Sequence, residues 1–104
     1  MQFSADNSSD QSVVVTLKGV LDANSAPSFR SQIEAIVKAK PERVEVDLSS
    51  LRLIDSTGVG AIVSLFKRTR AYGGRFMVLG VQGQPRTIFE VLRLDRAFGQ
   101  AAAS

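Results

Sequence analysis

Asp55-Ser56-Thr57-Gly58-Val59-Gly60 is the one stretch of this 104-residue sequence whose residue types and spacing could carry chemistry. Two hydroxyls follow a carboxylate, and two glycines stand where the pattern predicts the first turns of a helix. A glycine inside a helix costs about 1 kcal/mol against alanine, so two this close together need a reason. One reason is access, because a helix start without Cβ atoms lets another surface come close. The other is structural: Asp55 or Ser56 caps the helix and the glycines pack against a neighbouring strand. Spacing alone leaves both open.

Enzyme readings of the hexapeptide each lack a necessary group. An aspartic-protease signature needs glycine two places after the aspartate, and here Gly58 stands three places on. A phosphate-cradling loop needs lysine beside its last glycine, whereas Gly60 precedes Ala61-Ile62. A nucleophile elbow wants glycine two before the serine, where Ile54 stands. The chain has no histidine and no cysteine, which removes an imidazole base, a thiol nucleophile, a disulfide framework and thiolate metal sites. What survives is carboxylate, hydroxyl or lysine chemistry, or a protein that works by binding; no catalytic residue, metal ligand or cofactor site is singled out. A serine that accepts a phosphoryl group from another protein needs none of these, since the kinase brings both the base and the nucleotide.

The surrounding pattern predicts the elements that hold this segment. A short strand near residues 2–6 is followed by a polar turn over 7–12 and by a β-branched strand over 13–21. Asp22 to Ser25 are cap-type residues before Pro27, and Ala26, Phe29, Ile33, Ile36 and Val37 recur at helical spacing up to Lys40-Pro41. Val44, Val46 and Leu48 alternate as one face of a strand. Residues 49–54 lead to a helix with a stripe of Val59, Ile62, Val63 and Phe66, with Ala61, Leu65 and Tyr72 on its flank, ended by Gly73-Gly74. A strand over 75–80, a helix opened by Gln84-Pro85 with Ile88, Val91 and Leu92 as its stripe, and a short last helix at Leu94 complete the order. Strands separated by helices pair in parallel, while the first two, joined by a turn, pair antiparallel. The expectation is an α/β fold: a mixed sheet of about four to five strands with helices packed against it.

Length and 44% hydrophobic residues fit one domain over residues 1–104 with a modest core, residues 100–104 forming a frayed tail. No apolar run approaches a membrane span, and Met1 to Asp6 lack the pattern of a signal peptide, so a cytoplasmic protein is expected. The net charge of +3 is uneven, −2 over residues 1–51 and +5 over residues 52–104. The excess is mainly Arg68, Arg70, Arg75, Arg86, Arg93 and Arg96, scattered over several elements, with the aromatic residues at core-like positions. That pattern reads as a solvated basic face rather than a nucleic-acid surface.

Leu53-Ile54-Asp55-Ser56-Thr57-Gly58-Val59-Gly60 resembles the phosphorylation motif of the bacterial single-domain STAS proteins, the anti-sigma factor antagonists. The likeness extends over nearly the whole chain. Gly19-Val20-Leu21-Asp22 is similar to the family's Gly-Glu-Leu-Asp, Ser25-Ala26-Pro27 to the opening of its first helix, and Ile88 to Leu94 to its third helix. Val20 in place of the usual glutamate, and Arg93-Leu94-Asp95 in place of a common Thr/Ser-Gly-Leu, depart from it.

The resemblance implies a non-enzymatic partner switch. The unmodified protein would bind an anti-sigma factor that is also a serine kinase, freeing the sigma factor. Phosphorylation of Ser56, with Thr57 as a minor acceptor, would end that binding, and a serine phosphatase would reset it. Partner contacts are implied at Asp22, Asp55, Ser56, Thr57, Gly58, Val59 and Gly60, although Asp22 also reads as a turn residue and Val59 as core. The alternative is a STAS subunit of a transporter or signalling assembly that docks through the same helix without phosphate control.

Overall fold

The computed structural model describes the backbone of residues 2–9 and the whole of residues 11–98. Its elements run β1 (Gln2–Ser9), β2 (Ser12–Leu21), α1 (Ala26–Ala39), β3 (Arg43–Ile54), α2 (Ser56–Ala71), β4 (Arg75–Leu79), α3 (Gly83–Val91) and α4 (Leu94–Ala97). The four strands form one mixed sheet in the order β1-β2-β3-β4, with β1 antiparallel to β2 and the other pairs parallel. The expected fold class holds. The polar turn is shorter than expected, because β1 continues to Ser9 and β2 opens at Ser12. The expected tail at 100–104 lies outside the described residues.

Among the described side chains, one face of the sheet is buried, and the alternation in sequence dictates which. Val13, Val15 and Leu17 of β2, Val44, Val46 and Leu48 of β3, and Phe76 and Val78 of β4 are all buried. Between them Val14, Thr16, Glu45, Asp47 and Met77 stay half-buried on the opposite face. Side chains alternate across a strand, so helices need cover only the first set. Onto it α1 sets Ala26, Phe29, Ile33 and Ile36, and α2 sets Val59, Ala61, Ile62 and Leu65. Ala61 and Leu65 are fully buried, so the flank of α2 packs internally. An aromatic cluster closes the far end. Phe66, Phe76, Phe89 and Phe98 meet edge to face with centroids 5.2 to 5.4 Å apart, each such pair adding about 0.5–1.5 kcal/mol beyond burial.

The second half of β3 departs from the sequence reading. Thr16 faces Asp47 but Lys18 faces Ser50, and Gly19 faces Leu51 but Val20 faces Leu53. Each step inserts one extra residue into β3, a pair of β-bulges that bend the strand. The core positions consequently fall at Leu48, Leu51 and Ile54, three apart instead of two. β4 pairs only as far as Asp47, so the outer edge of this stretch has no strand beside it. Two glutamine side chains take its place: Gln82 Nε2 donates to the Ser49 carbonyl at 2.7 Å. Gln84 gives and takes one hydrogen bond with the backbone of Ile54, each 2.9 Å. The residue before the candidate segment is thereby held by an amide from α3.

Candidate functional site

Asp55 is the single residue between β3 and α2, and it caps the helix. Its Oδ1 accepts the Gly58 N–H at 2.9 Å and its carbonyl the Val59 N–H at 2.9 Å. The other carboxylate oxygen, Oδ2, accepts the Ala23 N–H at 3.2 Å, and the Asp55 N–H donates to the Leu21 carbonyl at 3.2 Å. One side chain thus ties the start of α2 to the loop after β2. A capping aspartate of this kind stabilises a helix by about 1 kcal/mol. The earlier N–H groups of the turn remain open, as at every helix start.

The loop it grips is itself built on Asp22. The Asp22 carboxylate accepts the N–H groups of Asn24 at 2.9 Å and Ser25 at 3.1 Å, closing an Asx turn. Ser25 Oγ accepts the Asp22 N–H at 2.9 Å and donates to the Val20 carbonyl at 3.0 Å. Asp22 and Asp55 therefore stand on two adjoining loops, with Asp22 half-buried and Asp55 exposed.

Ser56 and Thr57 are both exposed in the first turn of α2, whereas Gly58 and Val59 are buried and Gly60 is half-buried. The two glycines have different reasons. A Cβ on Gly58 would stand 2.5 Å from the Leu21 carbonyl oxygen and 2.8 Å from side-chain atoms of Ile54 and Leu21, so α2 touches β2 at this point. A Cβ on Gly60 would meet only the Arg30 guanidinium, at 3.6 Å. Packing accounts for Gly58 and leaves Gly60 unexplained.

Beside Ser56 opens a groove of about 240 Å³ that the sequence reading missed, lined by Ile54, Asp55, Ser56, Val59, Ile88, Val91 and Leu92. Its lining is almost wholly apolar. Of the expected stripe Ile88, Val91 and Leu92, only Ile88 packs against the core, half-buried; the residues α3 buries are Pro85 and Phe89. Phe89 is drawn into the aromatic cluster by Phe98, which rolls Val91 and Leu92 outward to 72% and 52% exposure. Adjacent large aliphatic residues that a helix does not bury are the signal that marks such a surface.

Among the described residues, no cluster of acidic side chains is arranged to hold a metal ion, and no helix is long and apolar enough to cross a membrane. In the last turn of α2, Arg68 grips Glu34 of α1 through both terminal guanidinium nitrogens, which holds the Glu34 carboxyl below its ordinary pKa.

Comparison with known proteins adds three findings. The family model described as STAS domain matches residues 4–103. The anti-sigma-B factor antagonist of Listeria monocytogenes is 26% identical over 81 residues, 78% of this chain and 71% of that one. Two solved structures share the fold at 22% identity. An anti-sigma factor antagonist from Mycobacterium paratuberculosis aligns with a TM-score of 0.86 over 99% of this chain and 86% of its own. The Bacillus cell fate determinant SpoIIAA, in its phosphorylated form, aligns with a TM-score of 0.79 over 99% and 92%.

Proposed function

This chain belongs to the STAS domain family, and on that premise we propose that it is an anti-sigma factor antagonist whose docking surface is switched by phosphate on Ser56. The observation that carries the reading is the exposure of Ser56 at a helix start, between the tied loops of Asp22 and Asp55 and an open apolar groove. The relatives named as anti-sigma factor antagonists, and a structure of the same fold in a phosphorylated form, support it.

In this reading the unmodified face binds an anti-sigma factor with serine-kinase activity. The groove takes an aliphatic side chain of that partner, and Thr57, Gly60 and Asp22 lie at the rim of the contact. The chain supplies no catalytic group of its own. Ser56 Oγ attacks the γ-phosphorus of the partner's ATP, the bond to the ADP oxygen breaks, and the hydroxyl proton passes to a base on the kinase. A serine phosphatase removes the group.

The phosphate adds about −1.5 to −2 charge at pH 7. At a helix start that charge is welcome, by about 0.3–1 kcal/mol, so the fold tolerates it. At an interface it must be stripped of water beside Asp55 and at the mouth of an apolar groove, which costs far more.

Incubation of the intact chain with its kinase and ATP, followed by mass spectrometry, is expected to place the phosphate on Ser56, with at most a minor fraction on Thr57. Label on neither hydroxyl would remove the proposal. A second expectation concerns the groove. Replacing Val91 and Leu92 together by serine should weaken kinase binding about tenfold in titration calorimetry, because exposed aliphatic surface then has nothing to bury. Their exposure means that the melting temperature should stay within a few degrees of the parent.

A further inference from the structure

α1 passes beside α2 and reaches across to it at two levels. Glu34 meets Arg68, and one turn earlier Arg30 extends its guanidinium to within 3.6 Å of the place a Gly60 Cβ would occupy. Among the described residues Arg30 has neither ion pair nor hydrogen bond to its side chain, and it is exposed. Glu34, the nearest acidic group along α1, is already taken by Arg68. Among the described residues Arg30 is thus a cation without an anion, its guanidinium beside the bare Gly60 position of α2.

Gly60 follows Ser56 by four residues, so the two share one face of the helix, with side-chain positions about 6 Å apart. No side chain stands on Gly60 to separate them. A flexible arginine stem can cover that distance, and a planar guanidinium matches phosphate oxygens in pairs, at roughly twice the strength of a neutral hydrogen bond.

We propose that Arg30 is the internal receiver of the phosphate: a phosphoryl group on Ser56 draws the Arg30 guanidinium over Gly60 and is held there by paired hydrogen bonds. This rests on the phosphoacceptor role of Ser56 and says how the modified state is kept. The pair offsets the repulsion from Asp55 and Asp22, and it lays the arginine across the surface on which a partner would sit. Gly60, which packing does not require, then has its reason, since any side chain there would stand in the way.

The test installs phosphoserine at position 56 during translation of the full chain, so no kinase enters and its failure is separable from a failure of the phosphate-mapping experiment. The second ionisation of the phosphate is followed by phosphorus NMR in the parent and in Arg30→Gln. A nearby cation favours the dianion, so the parent phosphate should titrate about half a pH unit lower than in Arg30→Gln, with Arg30→Lys in between. Asp55 and Asp22 are common to all three proteins and cancel from the comparison. The Arg30 side-chain N–H signal should also shift on phosphorylation. Identical titrations in parent and Arg30→Gln, with an unmoved Arg30 signal, would overturn the inference.

Discussion

Ser56→Asp is expected to bind the kinase partner at least about 100-fold more weakly than Ser56→Ala, while both proteins melt within a few degrees of the parent. The hundredfold corresponds to about 2.7 kcal/mol, the order expected when a charge is desolvated against like charge at an interface. Asp55 is exposed and fixed beside the new carboxylate by its hydrogen bonds to Gly58 and Ala23, so it cannot turn away. In the free fold the same repulsion is screened by water, because Asp55 and Ser56 are both exposed, and the helix start favours an anion. Calorimetric titration and thermal melts on the same samples separate the two effects. An aspartate variant that bound as tightly as the alanine variant would remove electrostatics from the switch. One that unfolded would show that the serine hydroxyl is structural.

The second large effect is on stability. Gly58→Ala should lower the melting temperature by about 10 °C, and Gly60→Ala should leave it level or raise it by a few degrees. A methyl at Gly58 would stand 2.5 Å from a backbone oxygen of β2, which has no rotamer to escape into. Overpacking of that kind costs about 1–3 kcal/mol, and about 1 kcal/mol corresponds to 4–8 °C for a domain of this size. At Gly60 only the end of a flexible arginine is near, so the gain in helix propensity of up to about 1 kcal/mol dominates. The contrast tests the division of labour between two glycines two residues apart. If both substitutions were equally harmful, Gly60 too would be a packing residue.

Much of this was legible in the sequence, and the reasons are local. α1 declares itself because Phe29, Ile33 and Ile36 keep helical spacing and Pro27 opens it. The first half of β3 declares itself because Val44, Val46 and Leu48 alternate. Ser56 and Asp55 could be singled out because hydroxyls and a carboxylate at a helix start satisfy no core pattern. What stayed hidden depended on contacts between distant residues. The bulged half of β3 carries its apolar residues three apart, a rhythm that looks like neither strand nor loop. The roles of Gln82 and Gln84 require knowing that β4 stops short. The outward turn of Val91 and Leu92 follows from Phe89 choosing the aromatic cluster, a competition that helical periodicity cannot decide. Nor could spacing distinguish Gly58 from Gly60, since only one of them touches β2.

The double bulge has a consequence for how this segment can vary. From Leu48 to Asp55 the chain must bury Leu51 and Ile54 and still deliver a carboxylate within reach of Ala23, and it does so by arc length. Polar residues such as Ser49, Ser50 and Arg52 all point outward, so their identities are nearly free. The tally of residues is not free, since loss of one would turn every later side chain to the wrong side. The approach to the acceptor is a gauge block, tolerant of what it is made of and intolerant of its length.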